Sequence, residues 1–281
     1  MTCIRVFVFS VSALLMIYAL PAFAGGPGEG AGPYEITAPT PTPVPGTDFI
    51  SFYTGAEFVK DSNMVYGGAI AALNGDLARG GFLIQGFGTW GNYQYRNSAV
   101  TGGTVDGELV EASGLLGYQF FAGNVRIRAF GGVDWQNNHL SPPDPSNPVS
   151  GSETDFVATG NFTTVGPRLL YLDLFGSYSI TNQTYWARGR LGYKFGPLRR
   201  IIVGPEGWFY GNENFNSQRA GVFIKFPLAP RLAVTASGGF NFVANDAFFN
   251  EIGDVFSSGE FGGLGGITNG GYGTVSISTW F

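Results

Sequence analysis

From Asp48 onward the sequence alternates apolar and polar residues in segment after segment, and this pattern restricts its folding choices more than any other feature. Alternation with a period of two marks a β-strand whose faces meet different surroundings, because successive side chains point to opposite sides. Residues 183–195 carry it most clearly: Tyr185, Ala187, Gly189, Leu191, Tyr193 and Phe195 share one face, while Trp186, Arg188, Arg190, Gly192 and Lys194 share the other. Residues 125–136 repeat it, with Val125, Ile127, Ala129, Val133 and Trp135 opposed to Arg126, Arg128, Asp134 and Gln136. Twelve such strands are predicted, near 48–60, 63–73, 79–92, 108–121, 125–137, 153–163, 168–180, 184–195, 199–211, 214–226, 231–243 and 270–281.

Alternation alone fits a soluble sandwich, with its polar face in water, as well as a membrane barrel, with its apolar face in lipid. The connections separate the two. Those predicted on one side are short, namely Asn74 to Asp76, Ala122 to Asn124, the stretch around Gly166-Pro167, Gly196 to Leu198 and Pro227 to Pro230. The other side takes the long ones, Tyr93 to Gly107, Asn138 to Ser152 and Ala244 to Asn269. Twelve is an even number, and short periplasmic turns opposite long extracellular loops are the habit of outer-membrane barrels. The sequence stops inside an alternating strand on Phe281, like the terminal strand read by the barrel-assembly machinery. The expected fold is all-β: a transmembrane, antiparallel, up-and-down barrel of about twelve strands.

Composition agrees. Charged residues make up 12%, about half the roughly 25% of an ordinary soluble domain, and aromatics make up 16%, which excludes a disordered chain. Beyond the N-terminus no apolar run is long enough for a spanning helix. Residues 1–24 have the form of a cleaved signal peptide, with Arg5 before the apolar run Val6 to Leu20 and the small-x-small site Ala22-Phe23-Ala24. Residues 25–47, with prolines at 27, 33, 39, 41, 43 and 45, read as an extended periplasmic tail, and 48–281 as the barrel. Removing Arg5 changes the charge balance from 15 − 20 = −5 to 14 − 20 = −6, which argues against nucleic acid as a partner.

Catalytic and metal chemistry find little support. The one histidine, His139, opens a proline-rich loop, and Cys3 leaves with the signal peptide, so no transition-metal cluster and no cofactor are expected. Asp144 and Asp155 lack the spacing of a calcium loop. The glycines between 262 and 271 lack the strand-to-helix context of a phosphate loop.

A charged row is predicted inside the barrel. With Gly196 to Leu198 as one turn and Asn212-Glu213 as the next, Arg188 faces Glu206, Glu206 faces Arg219 and Trp186 faces Trp208. Two readings stand for Arg188, Glu206 and Arg219: a structural ion network filling a narrow lumen, or a constriction that hydrogen-bonds a passing ligand. Trp186, Trp208 and Tyr210 would gather above it, suited to stacking on sugar rings or to plugging the barrel. Gly204-Pro205 is predicted to form a bulge.

The segment from Gly204-Pro205-Glu206 to Gln218-Arg219-Ala220-Gly221 and the segment Gly132 to Pro145 resemble the cellulose biosynthesis protein BcsS family, loosely over residues 48–281. The resemblance implies an outer-membrane barrel associated with bacterial cellulose synthesis and brings no catalytic residues. The expected function is a non-enzymatic accessory of cellulose biosynthesis or export in the bacterial outer membrane. Its expected partners are outer-membrane lipid and lipopolysaccharide, the barrel-assembly machinery, and cellulose or cellulose-synthase components. A general or solute-specific porin is the main alternative, and a structural or adhesive surface protein the second.

Overall fold

A computed structural model describes residues 48–166, 169–195, 200–212, 215–243 and 269–281. The signal-peptide and tail predictions, and nearly all of the 244–269 connection, lie outside the described residues. Twelve antiparallel strands form a closed barrel: β1 (Ile50–Val59), β2 (Ser62–Ala72), β3 (Gly81–Arg96), β4 (Thr104–Ala122), β5 (Val125–Ser141), β6 (Gly151–Thr164), β7 (Leu170–Ser179), β8 (Tyr185–Phe195), β9 (Ile201–Asn212), β10 (Phe215–Ala229), β11 (Leu232–Val243) and β12 (Gly270–Trp280). Each strand pairs with its neighbours in sequence, and β12 returns to β1 with Ser51 opposite Trp280. Closure satisfies every edge, as a barrel in lipid requires. Phe281 finishes the seam, its N–H donating to the Ile50 carbonyl at 2.8 Å and its ring edge-on to Phe52 at 6.2 Å.

The predicted faces hold. On β8, Arg188, Arg190 and Lys194 are buried inside while Leu191, Tyr193 and Phe195 are exposed outside. On β5, Arg126, Arg128, Asp134 and Gln136 point in, and Val133 and Trp135 point out. An outer belt that includes Ile84, Leu116, Leu174, Val222, Ile224, Val275 and Ile277 is therefore apolar around the whole barrel. Aromatic rings mark its edges, Phe52, Phe82, Tyr118 and Phe195 toward the chain termini and Phe58, Phe156, Tyr178 and Phe209 toward the opposite end. Soluble monomers do not expose such a band, whereas lipid-immersed barrels do.

The connections depart from expectation in four places. The ends of the stretches 93–107 and 138–152 are strand, with Tyr93 opposite Gly107, Arg96 opposite Thr104 and Asp106 opposite Ser141. Inward Tyr95, Val105 and Leu140 continue the alternation there and pack together, so β3–β5 rise as a ridge above their neighbours. At the terminal end, the predicted three-residue turn at Asn74 to Asp76 is a connection spanning 73–80 that folds into the barrel mouth. Its Leu77 is buried, and Gln119 donates to the Leu77 carbonyl at 2.9 Å and to that of Arg79 at 2.5 Å. The turn predicted at Pro227 to Pro230 is also shorter, because β10 runs to Ala229 through a register shift and β11 begins at Leu232. At the same end Gly123, at φ 60°, opens the two-residue turn between β4 and β5, a conformation that favours glycine.

Candidate functional site

The inward face of β1–β7 is mixed: Tyr53, Ile70, Leu83, Phe87, Leu115, Phe130 and Phe175 form one buried apolar cluster, and Arg126, Arg128, Asp134 and Gln136 are buried beside it. The inward face of β7–β12 carries many charges, and several of them are paired, because an isolated buried ion is costly. Three pairs form. Arg188 Nη2 meets Asp173 Oδ2 at 2.5 Å, Arg190 Nε meets Glu206 Oε2 at 2.7 Å, and Arg219 Nη2 meets Glu57 Oε1 at 2.7 Å. All six side chains are at most 4% exposed. Cross-lumen hydrogen bonds tie distant strands together, Tyr272 on β12 donating to Glu206 on β9 at 2.8 Å and Gln85 on β3 to the Tyr53 hydroxyl on β1 at 2.9 Å. Cations also lie on rings, with Arg188 5.2 Å from Trp208 and Arg190 5.1 Å from Phe223.

The predicted row of Arg188, Glu206 and Arg219 is therefore corrected. All three face the lumen, but Arg190 rather than Arg188 lies opposite Glu206, and Arg219 lies opposite Trp208. The centre of each connection sits one residue later in the chain than assumed, with Phe195 opposite Ile201 and Asn212 opposite Phe215. Moving a turn centre by one residue moves every opposite partner by two, which changes the partner and keeps the face. No bulge forms at Gly204-Pro205: pairing with β8 lapses beside Pro205, which has no N–H, and resumes at Tyr193 and Val203 in the same register. Gly204 is required there, because a Cβ would collide with the Leu191 carbonyl.

Of the three aromatic residues expected to gather there, the structure brings two together. Trp186 and Tyr210 are opposite and stacked, with centroids 5.0 Å apart and planes at 13°. Trp208 lies buried below them, under Arg188. Trp186 and Tyr210 border a cavity of about 170 Å³ at the end of the barrel away from the chain termini. Glu57, Arg219, Gln136, Asn138 and Glu111 also line it, together with Tyr93 and Tyr95 from the ridge. Arg219 is held over Tyr210 at 4.2 Å and beside Tyr272 at 5.4 Å, and its Nε donates to Asn241 at 3.2 Å.

One wall of the cavity comes from the connection between β5 and β6, residues 142–150, which bends back over the opening and contributes Asn147 and Val149. Asp144 pins it. Its carboxylate accepts from the Tyr95 hydroxyl at 2.7 Å, Asn97 at 2.8 Å, the Ser146 hydroxyl at 2.6 Å and the Ser146 N–H at 3.1 Å. Burial pushes this carboxyl up, but the hydrogen bonds outweigh it and hold the pKa at about 2. Asp155 stands apart, exposed on β6. His139 lies on β5 instead of in a loop and is exposed, between the inward Asn138 and Leu140. Among the described residues no group of three or more His, Cys, Asp or Glu is placed to hold a metal.

The sequence reading missed Glu57, Asp173 and the Asp144 clasp. Alternation places Glu57 and Asp173 on the inward face, and that signal was available. Their partners were not all so accessible, since Arg219 reaches Glu57 across β11 and β12 and meets it only after the barrel closes.

A family model described as cellulose biosynthesis protein BcsS matches residues 51–281. The chain belongs to the BcsS family. The match spans all twelve strands of the BcsS barrel. No curated protein matches the sequence. Among solved structures, a KdgM porin in complex with disordered oligogalacturonate is similar at 13% identity and TM-score 0.44, over 82% of this chain and 99% of that one. The COG4313 outer membrane channel from Pseudomonas putida F1 is similar at 10% identity and TM-score 0.49, over 85% and 97%. The CymD monoaromatic hydrocarbon channel is similar at 8% identity and TM-score 0.44, over 84% and 89%.

Proposed function

We propose that this BcsS-family barrel is a non-enzymatic outer-membrane accessory of bacterial cellulose biosynthesis or export, with its chain termini toward the periplasm. The observation that carries the reading is the packed lumen in a chain of this family. Paired ions, an apolar cluster and the inturned 73–80 connection occupy the interior, so the polar wall serves cohesion and not solute flow. This favours an accessory over a general porin, which needs a water-filled channel. The outward position of His139 supports a role without catalysis. In this reading lipid and lipopolysaccharide surround the apolar belt and the barrel-assembly machinery inserts the chain. Cellulose meets the end away from the termini, and a component of its synthase meets the periplasmic end.

Deleting the protein from a cellulose-producing bacterium tests the reading. Secreted cellulose should fall while glucan synthesis by isolated inner membranes stays at its wild-type rate. Unchanged secretion would overturn the proposal.

A further inference from the structure

Glu57 and Arg219 both line the cavity, and each has one buried polar atom that their ion pair leaves unused. Glu57 spends Oε1 on Arg219, and its Oε2 has no hydrogen-bond partner in the protein. Arg219 spends Nη2 on Glu57 and Nε on Asn241, and its Nη1 likewise has none. The two residues are 3% and 4% exposed, so these are a buried acceptor and a buried donor on the two members of one ion pair. Leaving such groups unpaired is costly, and native structures resolve the cost with water or a ligand. The geometry is also stiff, because Arg219 is clamped between Tyr210 and Tyr272 and Tyr210 is stacked on Trp186.

We infer that this cavity binds a neutral saccharide, with one hydroxyl donating to Glu57 Oε2, a neighbouring hydroxyl accepting from Arg219 Nη1, and a ring face packing on Trp186. A vicinal diol supplies an adjacent donor and acceptor, as this pair demands. A sugar ring adds an apolar C–H face suited to the half-buried indole. Asn138 and Gln136 supply amides on the wall for further hydroxyls. An anionic sugar is disfavoured, since Glu57 and Glu111 both line the cavity against Arg219. The choice of a β-1,4-glucan as first ligand rests on the cellulose reading, whereas the site itself rests on the cavity.

The test is calorimetric titration of the full-length mature barrel in detergent with cellohexaose, maltohexaose and trigalacturonate. Saturable binding of cellohexaose, weakened by Trp186→Leu, weakened at least about tenfold by Glu57→Gln and absent for trigalacturonate, is the expected result, the factor for Glu57→Gln being that of one charge-assisted hydrogen bond. Trp186→Leu leaves the ion pair intact, so it remains informative if Glu57→Gln fails to fold. Binding of maltohexaose but not cellohexaose would support the saccharide site while counting against the cellulose reading. Absence of binding, preference for trigalacturonate, or affinity unchanged in folded Trp186→Leu would overturn the inference, and the deletion phenotype would then judge the cellulose role separately.

Discussion

Replacing Glu206 by Ala removes the acceptor for two buried donors, Arg190 Nε at 2.7 Å and the Tyr272 hydroxyl at 2.8 Å. The Arg190 side chain is 2% exposed and would keep its charge without a carboxylate. Stranding one member of a buried pair costs about 3–5 kcal/mol, and the lost tyrosine hydrogen bond adds about 1 kcal/mol. Glu206→Ala should therefore lose about 4–6 kcal/mol of unfolding free energy, read by urea titration of the barrel in lipid vesicles with tryptophan fluorescence. A second substitution reads the register. Arg190→Leu in the same chain removes the stranded charge and should recover most of the loss, because a buried pair exchanged for apolar side chains is near neutral. Arg188→Leu should instead lower stability further, since it strands Asp173. Rescue by Arg188→Leu, or wild-type stability in Glu206→Ala, would refute the pairing.

Two further perturbations probe the packing. The Asp144 carboxyl has a pKa of about 2, below its ordinary 3.8, so its hold on the 142–150 connection is complete above about pH 4 and lost as pH falls through 2. Hydrogen exchange in residues 145–150, compared with β4 as internal reference, should accelerate between pH 5 and pH 2, and Asp144→Ala should show the fast exchange already at pH 5; protection independent of pH would contradict the clasp. Gly221 sits opposite Glu206, where an added Cβ would meet the Tyr272 hydroxyl and the Gly238 carbonyl. Gly221→Ala should cost about 1–3 kcal/mol in the same urea titration, and a neutral result would mean that Tyr272 does not reach across to Glu206.

Strand number, inward and outward faces and the apolar belt were legible because alternation reports each residue's environment locally. Arg188, Arg190 and Lys194 share a phase that no apolar environment tolerates, so their inward direction followed from β8 alone. Register was less legible, because it depends on where a turn begins. Shifting each turn centre by a single residue exchanged Arg188 for Arg190 opposite Glu206 without disturbing either face. The ridge of β3–β5 was hidden for a related reason: residues 93–96, 104–107 and 138–141 read as loop until Tyr95, Val105 and Leu140 are seen to share a small core. The Glu57–Arg219 pair and the Asp144 clasp join segments far apart in sequence, so they exist only in the closed barrel.

The account turns on a lumen filled by side chains, and single-channel recording of the purified protein in a planar bilayer tests that most directly. The packed interior predicts incorporation without steady ohmic steps, and a persistent conductance of porin size in the wild-type barrel would contradict it.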